Sequence, residues 1–99
     1  MAAYRLTIAA ADDLADIYLS GAIRFGVAQA DAYHAGLEAT FDFLVQFPRV
    51  ARLRLEIEPP VRAFRFKAHL VVYDLAADDG VVVLRVRHGR EDWLADSDV

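Results

Sequence analysis

The stretch VRAFRFKAHLVVYDLAADDGVVVLRVRH, Val61 to His88, decides the fold. It reads as strand, turn, strand, turn, strand. Val61–Phe66 sets Phe64 and Phe66 on one face with Arg62, leaving Ala63 and Arg65 on the other, the period of a pleated strand. Lys67–His69 is a tight connection, and Leu70–Leu75 continues as a mostly apolar strand containing Tyr73. Asp78-Asp79-Gly80 is a hairpin turn in which Gly80 is expected to supply positive φ. Val81–His88 then alternates. Val82, Leu84, Val86 and His88 are expected to face the core and the helices, and Val81, Val83, Arg85 and Arg87 the exposed side.

Upstream, the period changes to that of helices. Leu14, Ile17, Tyr18, Gly21, Ala22 and Phe25 form an apolar stripe over a helix expected at Ala10–Phe25, with Asp12 and Asp13 placed near its positive end. Gly26 stands where a left-handed helix cap belongs. Ala30, Tyr33, Leu37, Phe41 and Leu44 give a second stripe, widened by Val45 and Phe47 and stopped by Pro48. So short a connection folds the two helices back into an antiparallel hairpin. Leu19 and Ile23, four residues apart, fall on the opposite side of the first helix and present neighbouring aliphatic groups to water.

Before the helices, Tyr4, Leu6 and Ile8 alternate with Arg5 and Thr7, a half-buried strand expected at Ala3–Ile8. Residues 49–60, RVARLRLEIEPP, alternate Leu53, Leu55 and Ile57 with charges; a loop with a short extended piece is expected there. The whole is an α+β domain spanning residues 1–99. An N-terminal strand precedes an antiparallel helical hairpin, which packs on one face of a small, mainly antiparallel sheet.

Composition narrows the function. The chain has no cysteine, which excludes disulfides and thiolate metal sites. Its apolar fraction is 57%, above the usual 45–50% of globular proteins, and in so small a chain the surplus is either core or a partner surface. No apolar run is long enough for a bilayer, and MAAYRLTIAAADD lacks the basic region and apolar core of a signal peptide. A cytoplasmic protein without direct membrane contact is expected. A net charge of −4 argues against strong binding of free nucleic acid. The charge is uneven, however. Arg49, Arg52, Arg54, Arg62, Arg65 and Lys67 cluster between residues 48 and 67 against Glu56 and Glu58, a strip suited to an acidic partner.

Catalytic signatures are sparse. There is no phosphate-binding Gly loop, no serine elbow and no paired metal-ligand spacing. His34, His69 and His88 sit on three different elements, so neither a metal site nor any other cofactor is expected. One arrangement bears on RNA cleavage: His88 and Glu56 as acid and base, with Arg62, Arg65, Arg85 or Arg87 holding phosphorane charge.

Several motifs occur in one order along the chain: Tyr4-Arg5-Leu6-Thr7, Asp13-Leu14-Ala15-Asp16-Ile17-Tyr18, Phe25-Gly26-Val27-Ala28-Gln29-Ala30, Phe47-Pro48, Val61-Arg62-Ala63-Phe64, His69-Leu70-Val71-Val72-Tyr73, and Val83-Leu84-Arg85-Val86-Arg87-His88-Gly89-Arg90-Glu91-Asp92-Trp93. Together they resemble the ParE branch of the RelE/ParE toxin superfamily. Tyr18 replaces the usual Trp, Arg87 an apolar residue and Glu91 the common second Arg. The resemblance implies a toxin of a two-component pair, held inactive in a hetero-oligomer with a ParD-type antitoxin. It implies action by poisoning DNA gyrase, without catalytic residues of its own. RelE relatives instead cut messenger RNA in the ribosome with a lysine-rich set, whereas Lys67 is the one lysine here.

Three readings stand: a gyrase poison, a RelE-type mRNA interferase, and a partner-binding module without toxicity. His88, Arg90 and Trp93 have no structural need for their composition and are the leading candidates for target action, joined by Arg85 and Arg62 on the sheet. An antitoxin helix would place apolar anchors in a groove and set its acidic part against Arg49, Arg52 and Arg54. Leu19, Ile23, Leu53 and Leu55 complete that candidate surface.

Overall fold

A computed structural model describes residues 4–89. Its elements run β1 (Arg5–Leu6), α1 (Ile8–Phe25), α2 (Val27–Gln46), β2 (Leu53–Arg54), β3 (Val61–Phe66), β4 (His69–Leu75) and β5 (Val81–His88). The five strands form one sheet in the order β1-β5-β4-β3-β2. β1 lies parallel to β5 and every other pairing is antiparallel.

The helix start departs from expectation. Thr7 caps α1: its hydroxyl accepts from the Ala10 amide at 3.0 Å and donates to the Leu84 carbonyl at 2.7 Å. One side chain thus satisfies a helix-end amide and ties the helix to β5. Within the described part of the expected strand Ala3–Ile8, Arg5–Leu6 is strand and Ile8 already belongs to α1, while Ala3 lies outside the described residues; Asp12 and Asp13 fall beyond the first turn of α1. The hairpin junction is one residue long. Gly26, at φ 96° and ψ 159°, is the C-cap of α1 and the N-cap of α2 together. That backbone region is nearly closed to residues with a Cβ, so it is not the left-handed cap the sequence suggested.

The core lies between the hairpin and the sheet. Leu14, Leu37, Phe41 and Leu44 from the helices meet Val71, Tyr73, Val81, Val83 and Val86 from β4 and β5, all buried. Gly36 permits close approach, since a Cβ there would lie 2.5 Å from Phe66 Cζ. Tyr73 is fully buried, and its hydroxyl donates to the Pro48 carbonyl at 2.9 Å. Arg62 donates to the Ala51 carbonyl at 2.6 Å, so both side chains pin the loop that follows α2. That loop contains the short extended piece Leu53–Arg54, after which Ile57 buries itself with Val61, Val72 and Leu84 on the far face of the sheet.

Three assignments are corrected by the packing. Val81 and Val83, not Val82 and Leu84, face the helices, because Leu84 is an extra residue in β5. The pairing steps from Tyr73↔Val83 to Val72↔Arg85 there, and the alternation changes phase before Val86. In the β4–β5 turn, Asp79 rather than Gly80 takes positive φ, at 64°. Phe25, assigned to the core stripe of α1, is the last residue of that helix and is 68% exposed.

Candidate functional site

Of the target-action candidates, Arg90 and Trp93 lie outside the described residues. Arg85 is engaged by the fold. Its Nε and Nη2 donate to the Asp13 carboxylate at 2.8 and 3.0 Å, and the Val86 amide donates to the same carboxylate at 2.9 Å. β1 pairs only with Val82 and Val83, so Asp13 takes over the β5 edge where β1 stops. Burial pushes the Asp13 carboxyl up. The hydrogen bonds from Arg85 and Val86 and the charges of Arg85 and Arg87 outweigh it and leave the pKa below the ordinary aspartate value. Arg62 is likewise committed to the Ala51 carbonyl.

His88 lies in a different environment. A cleft of about 630 Å³ separates the helical hairpin from the end of the sheet where β4 begins and β5 finishes. Ile17, Gly21, Arg24, Tyr33, His69 and His88 are among its lining residues. His69 and His88 are paired across the two strands, with ring centroids 5.3 Å apart. Tyr33 Oη stands 2.7 Å from His69 Nδ1. Burial raises the Tyr33 pKa against a lowering hydrogen bond from the Ala68 backbone. Neither the role of Tyr33 nor the juxtaposition of the two histidines follows from the sequence pattern.

The candidate antitoxin residues divide into two surfaces. Leu19 and Ile23 are 60% and 76% exposed near the hairpin tip, continuous along the chain with exposed Phe25 and Val27. Arg49, Arg52, Leu53, Arg54 and Leu55 lie past the far end of α2, a helix of 20 residues that spans about 30 Å. Leu55 is largely exposed, and Phe47, Val50 and Leu53 add apolar surface around it. The arginines there face carboxylates of their own chain: Arg49 meets Asp79 at 3.0 Å, while Arg52 and Arg54 meet Glu56 at 3.4 and 3.7 Å. The basic strip is thus partly neutralised internally.

Among the described residues no group of three or more His, Cys, Asp or Glu is placed to hold a metal ion, and no helix is long and apolar enough to cross a membrane.

A two-helix hairpin on a five-stranded sheet, with a parallel N-terminal edge strand, defines a RelE/ParE-type toxin domain. A model of the ParE toxin of the type II toxin–antitoxin system parDE matches residues 4–93. Toxin ParE3 of Caulobacter vibrioides is 39% identical over 70 residues, which cover 71% of this chain and 69% of that protein. Toxin ParE1 of Mycobacterium tuberculosis is 33% identical over 89 residues, 90% of this chain and 91% of its own length. A solved chain described as the chromosomal ParDE TA system from P. aeruginosa shares the fold, with a TM-score of 0.75 at 20% identity over 89% of this chain and 96% of that one. The chain belongs to the ParE toxin family of type II toxin–antitoxin systems.

Proposed function

We propose that this toxin arrests growth by binding and poisoning DNA gyrase, and that a ParD-type antitoxin neutralises it. The observation that supports a binding mode over RNA cleavage is the commitment of Arg62 and Arg85, two of the four arginines that could serve cleavage. A ribonuclease of the 2′-hydroxyl-attack type needs cations aimed at the phosphorane. Here Arg85 is locked to Asp13 and Arg62 to the Ala51 carbonyl, and the chain has a single lysine, Lys67. We assign target action to His88, which lines the cleft at the end of β5, and to Arg90 and Trp93, which lie outside the described residues.

The antitoxin is assigned to both apolar–basic surfaces. They sit at opposite ends of α2, so one partner covering both must run along the helical hairpin for about 30 Å. An amphipathic helix anchored on Leu19 and Ile23, followed by an acidic segment reaching Arg49, Arg52 and Arg54, has that shape. Its carboxylates would exchange with Asp79 and Glu56 rather than meet bare arginines, so each such pair adds about 0–1 kcal/mol. Apolar contact carries most of the affinity.

Inducible expression, with and without the neighbouring antitoxin gene, tests the reading. Growth arrest with an induced DNA-damage response and uncut transcripts, relieved by the antitoxin, is the expected outcome. Cut transcripts with intact DNA would replace it with the interferase reading, and unimpaired growth would remove the toxin activity.

A further inference from the structure

Gly89, the last described residue, stands between His88 and Arg90 and is held by two contacts from the opposite end of the sheet order. Its amide donates to the Ala68 carbonyl at 2.6 Å, one step past the His69–His88 pair. The second contact is with Arg65. A Cβ built on Gly89 would lie 2.5 Å from Arg65 Nη1, 2.9 Å from Nη2 and 3.0 Å from Cζ. Three guanidinium atoms thus crowd one point, as when a planar cation is laid against backbone. A residue with a Cβ at 89 would push the guanidinium away.

Arg65 reaches Gly89 from two strands away. It pairs with Leu70 on β4, and Leu70 in turn pairs with Arg87 on β5. Its Nη1 donates to the Lys67 carbonyl at 3.1 Å, which turns the side chain along the β3–β4 connection. Lys67 takes the left-handed conformation there, at φ 50°. Two successive carbonyls of this tight turn are used at once, that of Lys67 by Arg65 and that of Ala68 by Gly89. Among the described residues no carboxylate forms an ion pair with Arg65, so backbone contacts alone set its place. Fixing a long exposed side chain costs rotamer freedom. The core gains nothing from it, because Arg65 lies outside both apolar clusters.

We propose that Arg65 is a positioning residue for the terminal segment: with the β3–β4 turn it grips Gly89 and fixes the direction in which Arg90 and Trp93 leave the sheet. Four peptide units separate Gly89 from Trp93, a reach of at most about 14 Å. A fixed exit confines the indole within that reach, and a released exit lets it sample the whole of it. Lysine cannot replace Arg65, since an ammonium has no plane to lay on the backbone. The use of the grip in target action rests on the gyrase reading above; the grip itself does not.

The test is a double-mutant cycle in the full chain: Arg65→Ala, Gly89→Ala and the two together, with Arg65→Lys beside them. A methyl at 89 meets only the flexible end of Arg65, so urea unfolding should show the fold intact. Trp93 is the sole tryptophan, and its fluorescence anisotropy reads the terminal segment directly. Hydrogen exchange of the amide at 89, relative to its intrinsic rate, reads the root. Each single substitution, Arg65→Lys included, should lower the anisotropy and speed that exchange by at least about threefold, and the double variant should be no worse than either single. Gyrase cleavage should fall by at least about threefold in the same variants. Unchanged anisotropy and exchange in the single variants would overturn the proposal, as would additive effects in the double variant. Wild-type behaviour of Arg65→Lys, or full cleavage activity in variants whose segment is released, would overturn it too. If wild type leaves gyrase unpoisoned while the coupling between Arg65 and Gly89 holds, the gyrase reading fails and the positioning role stands.

Discussion

Replacing Asp13 by Asn tests how the helical hairpin is latched to the sheet. The carboxylate accepts three hydrogen bonds, two from the Arg85 guanidinium and one from the Val86 amide, and its side chain is only 15% exposed. Asparagine keeps the volume and one carbonyl oxygen but loses the charge and turns a donor toward Arg85. Hydrogen bonds to a charged group contribute about 1.5–3 kcal/mol each, and breaking a buried pair costs about 3–5 kcal/mol. Arg85 is 41% exposed and rehydrates when released, which removes part of that cost. A loss of about 2–3 kcal/mol follows, or roughly 10–20 °C in Tm for a domain of this length. Urea and thermal unfolding followed by circular dichroism would measure it.

The same site fixes the pH dependence. The folded pKa of Asp13 lies below the ordinary value, so the folded state binds its proton less readily than the unfolded chain. Its stabilisation is complete above the unfolded aspartate pKa of about 4 and is lost as pH falls through the lowered folded value. Asp13→Asn should therefore show a flatter acid limb than wild type. A stability change below about 0.5 kcal/mol, or an unchanged acid limb, would refute the latch as a main connection between α1 and β5.

Other substitutions probe particular contacts. Gly36→Ala gains about 1 kcal/mol of helix propensity but drives a methyl into the Phe66 ring, so the net result in urea unfolding should be destabilisation of about 1 kcal/mol or more. Tyr73→Phe removes the donor to the Pro48 carbonyl in a fully buried position and should cost about 1–3 kcal/mol by the same measurement. Leu19→Ser with Ile23→Ser should leave Tm nearly unchanged while lowering antitoxin affinity by at least about tenfold in titration calorimetry, whereas Arg49, Arg52 and Arg54 changed together to Glu should mainly flatten the salt dependence.

Particular residues explain which parts of this architecture can be read from sequence. The helical hairpin is legible because Leu14, Leu37, Phe41 and Leu44 repeat at helical spacing and a glycine divides the two runs. The exposed Leu19–Ile23 pair is legible for the same reason. β1 reads too long because Tyr4, Leu6 and Ile8 alternate by chance into a helix whose start is set by the Thr7 cap. The first half of β5 reads inverted, while Val86 reads correctly, because Val81 to Leu84 are all apolar and the extra residue Leu84 is a backbone event that leaves no mark in composition. The histidine pair is hidden for the same cause. Counting back from the Leu75–Val81 pair in a regular ladder sets His69 opposite Arg87, and only the one-residue shift at Leu84 brings His88 across from it. Arg85 reads as an exposed cation because its partner, Asp13, lies on α1, 72 residues earlier in the chain.

The central claim is that this ParE-family toxin acts by binding gyrase and does so through its terminal segment. Its most direct test is a cleavage assay with purified DNA gyrase, supercoiled plasmid, ATP and the full chain, run beside the Arg90→Ala and Trp93→Ala double variant. Accumulation of gyrase-linked double-strand breaks with wild type, lost in a double variant that unfolds at the same urea concentration, is the predicted result. Unbroken plasmid at saturating toxin, or equal activity in the double variant, would contradict it.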